Sequence, residues 1–153
     1  MLAVPKVHVA LNAPRFEQSV AFYRAFFGSE PAKLKPGYAK FDVAEPALNL
    51  TLNQVAEPPA GAPGGAGGPG GLNHLGIQVV SSDAVRAAGE RLRQAGLATF
   101  EERDTDCCYA LQDKVWVTDP NGYRWEVFVV KVGDTRPDLA ATGPVPSTPC
   151  CAA

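Results

Sequence analysis

The stretch Leu72-Asn73-His74-Leu75-Gly76-Ile77-Gln78-Val79-Val80 decides how the rest of the chain is read. Asn73, Leu75, Ile77 and Val79 alternate with His74, Gly76 and Gln78, the two-residue period of a half-buried strand. The same pattern stands earlier, at residues 6–12, where Val7, Val9 and Leu11 oppose Lys6, His8, Ala10 and Asn12. In both places a histidine falls early on the strand and a helical segment follows. Gly28 lies 20 residues after His8, and Gly96 lies 22 after His74, each where a helix should stop. The chain reads as a duplication with its two histidines in equivalent positions.

Working outward, residues 15–27 put Phe16, Val20, Tyr23, Phe26 and Phe27 at helical spacing. Extended pieces follow at 32–35, 38–43 and 47–53, separated by Pro36-Gly37 and Glu45-Pro46. In the second half, Ser82-Asp83 is read as the cap of a helix running to Gln94 and closed by Ala95-Gly96. Strands are expected at 98–101, 107–111, 115–118 and 123–131, with Asp119-Pro120-Asn121-Gly122 as a strong turn. Each half reads β-α-β-β-β, an α+β pattern. A lone repeat could not bury its sheet face, so the two should pack together.

Residues 57–71 are almost entirely Gly, Pro and Ala, a linker without the side chains to build a core element. The expected organisation is one domain over residues 1–133. It comprises a first module at 4–56, the linker at 57–71 and a second module at 72–133. Residues 134–153 form a flexible tail rich in Pro, Ala and Thr.

A hydrophobic content of 46% is that of a globular protein. A net charge of −2 and the lack of a basic patch argue against nucleic acid or a membrane surface as partner. No apolar run approaches the length of a membrane span, and the N-terminus lacks a signal-peptide pattern. A cytoplasmic location, where thiols stay reduced, is therefore expected. The four cysteines form two adjacent pairs, Cys107-Cys108 and Cys150-Cys151. Neighbouring Cα atoms lie about 3.8 Å apart, below the usual disulfide range. Two thiols side by side suit a soft, thiophilic atom better than a bridge.

Metal ligation is the chemistry that two equivalent histidines suggest. Glu126 shares a strand face with Arg124 and Phe128, so His8, His74 and Glu126 can form a ligand set. The bland alternative is a hydrogen-bonded strand histidine beside an ordinary glutamate. The positional equivalence of the histidines favours the metal. Two imidazoles and a carboxylate leave coordination positions open, as in non-haem Fe(II) oxygen chemistry, with Zn, Mn or Ni as other occupants. The last strand of the first half, Leu48-Asn49-Leu50-Thr51-Leu52, has no carboxylate or histidine in the place of Glu126. The protein ligands should stop at three.

The duplication, the two histidines and the run from Lys114 to Val127, with Asp119-Pro120-Asn121-Gly122 ahead of Glu126, resemble the vicinal oxygen chelate superfamily of glyoxalases and extradiol dioxygenases. The resemblance spans roughly residues 6–131 and implies two βαβββ modules forming a cupped sheet. Cys107-Cys108, with Glu126 18 residues after Cys108, looks like the carbon–arsenic lyase and cadmium-inducible protein branch. That likeness implies Fe(II) held by His8, His74 and Glu126, with Cys107 and Cys108 binding the arsenic of a trivalent organoarsenical and O₂ as co-substrate. A homodimer rests on the same analogy.

Adjacent residues of a regular strand point to opposite faces. Joint chelation by Cys107 and Cys108 thus needs an irregular backbone, which the turn-prone run Asp104-Thr105-Asp106 can supply. Asp106 and Lys114 read better as solvated surface residues than as supports of the site. Cys150 and Cys151 are either a thiol pair that captures the arsenical or incidental residues of a low-complexity tail. Two rival functions stand beside the lyase. One is a protein that sequesters Cd²⁺ or arsenite without turnover; the other is a glyoxalase or extradiol dioxygenase, which would have no use for vicinal thiols.

Overall fold

A computed structural model describes residues 5–57, 72–107 and 110–132. The first half contains β1 (Val7–Asn12), α1 (Phe16–Phe27), β2 (Lys33–Lys35), β3 (Tyr38–Val43) and β4 (Leu48–Asn53). The second contains β5 (Leu75–Gln78), α2 (Ser82–Gln94), β6 (Thr99–Cys107), β7 (Ala110–Thr118) and β8 (Arg124–Val132). Each half forms a four-stranded sheet, ordered β1-β4-β3-β2 and β5-β8-β7-β6. The first and last strands of each half run parallel, and the other pairings are antiparallel. Both halves thus have the βαβββ pattern expected from the repeat.

Alternation sorts the two faces. Leu11, Leu50, Leu52, Ala39 and Phe41 of the first sheet join Val115, Val117, Trp125, Val127 and Val129 of the second in one buried apolar cluster. The helices cover this side. Helix α1 buries Phe16, Val20, Phe22, Tyr23 and Phe26, a wider stripe than one sheet requires, because Tyr23 faces both halves. Its ring packs against Phe41 of one sheet at 6.1 Å and Trp125 of the other at 6.1 Å. The Tyr23 hydroxyl donates to Asp119 Oδ2 at 2.8 Å and accepts from Trp125 Nε1 at 3.0 Å. Burial, followed by the Asp119 charge, raises the Tyr23 pKa well above its ordinary value, so the phenol stays protonated. Around it, Asn121 Nδ2 donates to Ser19 Oγ at 2.7 Å, and Arg91 reaches the Phe26 carbonyl at 3.1 Å.

Several expected boundaries move for local reasons. Arg15 is the N-cap of α1, not its first residue, and Gly28 closes the helix at φ 63°. Ser81, not Ser82-Asp83, caps α2, because its hydroxyl accepts from the Ala84 N–H at 3.1 Å. The strand at residues 72–80 is shorter than its alternation suggests: β5 begins at Leu75, and His74 immediately precedes it. The expected pieces at 98–101, 107–111 and 115–118 make two strands, Thr99–Cys107 and Ala110–Thr118, not three. Thr99–Cys107 is continuous, and Cys107 pairs with Ala110, so the chain reverses inside the segment read as one strand.

The turn-prone run Asp104-Thr105-Asp106 does carry the irregular backbone expected of it, in the form of a bulge within β6. Glu102 pairs with Lys114 but Thr105 pairs with Gln112, which inserts one extra residue into β6, and Asp104 has φ 49°. Opposite it, β8 carries a second insertion at Lys131, since Gln112 pairs with Val130 and Leu111 with Val132. Asp113 on the strand between ties the two together. It accepts from the Asp104 N–H at 2.9 Å and from Ser82 Oγ at 2.6 Å, and it pairs with Lys131 at 2.9 Å.

Two outcomes follow from these contacts. Tyr23→Phe strands a buried carboxylate oxygen and an indole N–H, which should cost about 1–3 kcal/mol in urea denaturation; an unmoved midpoint would remove the junction from the fold's stability. Burial raises the Asp113 carboxyl, but the Ser82 and Asp104 hydrogen bonds and Lys131 outweigh it and pull the pKa from 3.8 to about 2. A depressed acid stabilises the folded state above its unfolded pKa and loses that contribution as pH falls through the folded one. Roughly 2 kcal/mol should therefore disappear between about pH 4 and pH 2. Asp113→Asn should flatten that limb of a stability–pH curve, and parallel limbs in both proteins would refute the assignment.

Candidate metal centre and its polar face

The face opposite the core is where the candidate ligands stand. Strand register lays Phe100, Trp116, Glu126 and Gly76 in one row across β6, β7, β8 and β5. The next row holds Glu102, Lys114, Phe128 and Gln78. Glu126 is only 7% exposed. Its Oε1 lies 3.5 Å from His74 Nε2, and its Oε2 accepts from Lys114 Nζ at 3.0 Å. On the other side of the ring, His74 Nδ1 lies 2.6 Å from Asn73 Oδ1. A proton on Nδ1 satisfies that contact and leaves the Nε2 lone pair directed at the carboxylate. This is the tautomer a metal-binding imidazole needs, with its second nitrogen held by an outer acceptor.

Gly76 leaves the space that Glu126 fills. A Cβ there would stand 3.1 Å from Glu126 Cγ, 3.1 Å from Phe128 Cε1 and 3.2 Å from Glu126 Oε1. Trp116 walls the other side, with its ring 5.0 Å from His74 at an angle of 77°. Its Nε1 donates to Glu102 Oε2 at 3.2 Å. Lys114 Nζ stands 5.4 Å from the centre of the same indole, and the Arg124 guanidinium stands 4.7 Å from it.

His74 and Glu126 are brought together; His8 is not gathered with them. It stands on β1 of the other sheet, exposed, in register with Asn49 of β4, whose Oδ1 is buried with no hydrogen-bond partner. Among the described residues, no three His, Cys, Asp or Glu side chains cluster closely enough to hold an ion. The repeat also locates the missing fourth ligand. Gly76, two residues after His74, pairs with Glu126, and Ala10, two after His8, pairs with Thr51. A threonine therefore occupies the acid's position in the first half. The donor set fits a metal in kind: two imidazole positions, one carboxylate with a free oxygen, and a buried carbonyl oxygen beside His8.

Cys107 is the last residue of β6, whereas Cys108, Cys150 and Cys151 lie outside the described residues. Lys114 overturns its reading as a solvated surface residue. It is 1% exposed, since its position on β7 sets it beside Glu126 and under Trp116. Its place in the alternation, on the face of Trp116 and two residues away, was the available signal. Asp106 is exposed, as expected.

The fold is a βαβββ duplication, and the chain's similarities agree with it. Residues 7–127 match the Glyoxalase/Bleomycin resistance protein/Dioxygenase superfamily, and the chain belongs to that superfamily. It is 50% identical over 126 residues to a trivalent organoarsenical cleaving enzyme of Thermomonospora curvata, covering 82% of this chain and 78% of that protein. It is likewise 50% identical over 125 residues to the cadmium-induced protein CadI of Mycobacterium tuberculosis, covering 82% and 76%. A glyoxalase/bleomycin resistance protein/dioxygenase from Alicyclobacillus acidocaldarius shares the fold with a TM-score of 0.64 at 16% identity, covering 88% of this chain and 96% of that one. No helix among the described residues is long and apolar enough to cross a membrane.

Lys114→Met should leave Glu126 as a buried carboxylate without this counter-charge and cost roughly 3–5 kcal/mol in chemical denaturation. Pairing it with Glu126→Leu should recover most of the loss. A single variant as stable as the parent would show that the ion pair is not a buried element of the fold.

Proposed function

We propose that this chain cleaves the carbon–arsenic bond of trivalent organoarsenicals, releasing inorganic arsenite. The observation that carries the reading is the convergence of His74 Nε2 and Glu126 Oε1, 3.5 Å apart, on the open face of the second sheet. It is supported by half-identity to a protein named for organoarsenical cleavage. In this reading His74 and Glu126 would hold Fe(II) with His8 of the first module as the third ligand, and Cys107 and Cys108 would hold the arsenic. Fe(II) bound there would supply the one-electron chemistry that lets O₂ react with an organic substrate.

The chain's own residues then have distinct tasks. Lys114 donates to Glu126 Oε2, and Oε1 is the carboxylate oxygen that would be left to hold an ion. Asn73 holds the His74 proton on Nδ1. Trp116 shields this side of the site from water. The two thiols displace the arsenical's hydroxyls as water and form two As–S bonds, which fixes the direction of the As–C bond. With methylarsenite the balance is one CH₃As(OH)₂ and one O₂ giving one As(OH)₃ and one formaldehyde. Carbon is oxidised, O₂ is reduced, and arsenic stays trivalent; an aryl group leaving as a singly hydroxylated ring would require two further electrons from an external reductant such as a thiol. Reduced thiols are needed throughout, which suits the cytoplasm. Cys150 and Cys151 serve as a secondary capture pair.

A second reading, sequestration of Cd²⁺ or arsenite without turnover, is favoured by the similarity to a cadmium-induced protein and by four cysteines. One assay separates the two: anaerobic loading with Fe(II), then methylarsenite and O₂, with arsenic speciation as readout. Inorganic arsenite is the expected product. Bound but unconverted methylarsenite would transfer the function to sequestration. Cys107→Ser should abolish turnover while iron stays bound, and an active variant would remove the thiol from the mechanism. Replacing Cys150 and Cys151 should lower the rate only at low substrate.

A further inference from the structure

The junction of the two modules leaves a space that the fold does not fill. On the core side of the sheets, away from the candidate metal centre, lies a cavity of about 310 Å³. Helix α1 contributes Phe26 and Phe27 to its lining, and α2 contributes Ala84, Ala87 and Ala88. The strands add Val43 from the first sheet and Ile77 and Val127 from the second. The gap has a local cause. The α2 face turned to these large side chains carries alanine at positions i, i+3 and i+4, so the helices cannot close on each other. Phe27, Val43 and Ile77 consequently remain half-buried although they pack against the core. Water gains few partners there, and an apolar occupant would complete their burial.

Only Glu45 and Arg91 break the apolar lining. The Arg91 guanidinium is fixed in place, with Nη2 donating to the Phe26 carbonyl at 3.1 Å and Nε to the Ala25 carbonyl at 3.3 Å. Among the described residues Arg91 makes no ion pair, and its Nη1 donors are not engaged. Glu45 stands exposed on the turn after β3, with no hydrogen bond to hold it among the described residues. A donor already held in position loses little freedom on meeting a ligand, whereas a free side chain must first be ordered. The anchored cation therefore sets the charge preference of the cavity.

We infer that the module junction is a binding site for a small monocarboxylate with an apolar body, of the medium-chain fatty acid type. The apolar body lies between α1 and α2, and the carboxylate meets Arg91. At roughly 30 Å³ per water-sized atom, the space takes about ten non-hydrogen atoms, the size of an eight-carbon acid. Such a ligand touches both modules and so stabilises their packing. It also contacts Ile77 and Val127, whose chain neighbours Gly76 and Glu126 face the other side of the same strands.

Octanoate, octanol and octylamine are the probes, titrated into the full chain by calorimetry. Octanoate should bind about tenfold more tightly than octanol, the scale of a hydrogen bond to a charged group, and octylamine should bind more weakly than either. Ala87→Leu, at an exposed helical position, should fill the space and weaken octanoate by about tenfold or more. Saturating octanoate should raise the thermal unfolding midpoint of the parent but not of Ala87→Leu. Arg91→Met should erase the preference for the acid, and Arg91→Lys should restore part of it. Arg91 also caps α1, so Glu45→Gln provides a variant that leaves that helix end intact, and it should tighten octanoate. Phe100→Ala, on the other face of the second sheet, should leave the titration unchanged. No octanoate binding by the parent, equal affinity for octanol, or binding that survives Ala87→Leu would overturn the inference, as would loss of binding in Phe100→Ala. Arsenic enters none of these readouts, so failure of the proposed reaction would leave the site standing, and failure of octanoate binding would leave the reaction untouched.

Discussion

The Tyr23 hydroxyl is the contact on which the arrangement of the two halves turns. It donates to Asp119 and accepts from Trp125, while its ring lies between Phe41 of one sheet and Trp125 of the other. Each partner is tied in turn to the candidate centre. Asp119 opens the turn that leads into β8, with its Oδ1 accepting from the N–H groups of Asn121 and Tyr123. Trp125 is the neighbour of Glu126 and points to the core because Glu126 points away from it. A tyrosine on the first helix therefore helps set the height and orientation of the carboxylate in the second module.

The polar face carries a different balance. Glu126 is buried, and its negative charge is tolerated because Lys114 is buried beside it. Gly76 is the steric counterpart of that pairing, since a side chain there would press on the carboxylate. Trp116 completes the enclosure with His74 on its edge and two cations near its faces. Desolvation on this face strengthens each charge interaction and leaves one carboxylate oxygen facing an imidazole nitrogen. The centre is asymmetric between the modules because Thr51 stands where the second half has its acid.

Strand parity explains the successes of sequence reading here. His8, His74 and Glu126 were all assigned to the polar side from alternation alone, and the register agrees for Glu126. The reading failed where one residue was inserted. Asp104 and Lys131 each break the period in β6 and β8, and the turn-prone Asp and Thr residues hide the continuity of β6 through its bulge. Lys114 was read as a surface lysine because lysines are rarely buried. Its partner lies 12 residues away on a neighbouring strand, at a distance that no local pattern encodes.

Local chemistry thus determined the repeat, the two βαβββ units and the candidates His8, His74, Glu126 and Cys107-Cys108. All of these follow from periodicity, turn residues and adjacency, which are properties of neighbouring positions. Tertiary structure decided what those positions meet. It brought His74 to Glu126 but left His8 on the other sheet, and it buried Lys114 against the carboxylate. It also set Phe100 and Arg124 beside Trp116 around an open cavity. Such contacts depend on strand order and register, since β8 is inserted between β5 and β7 although it comes last in the chain.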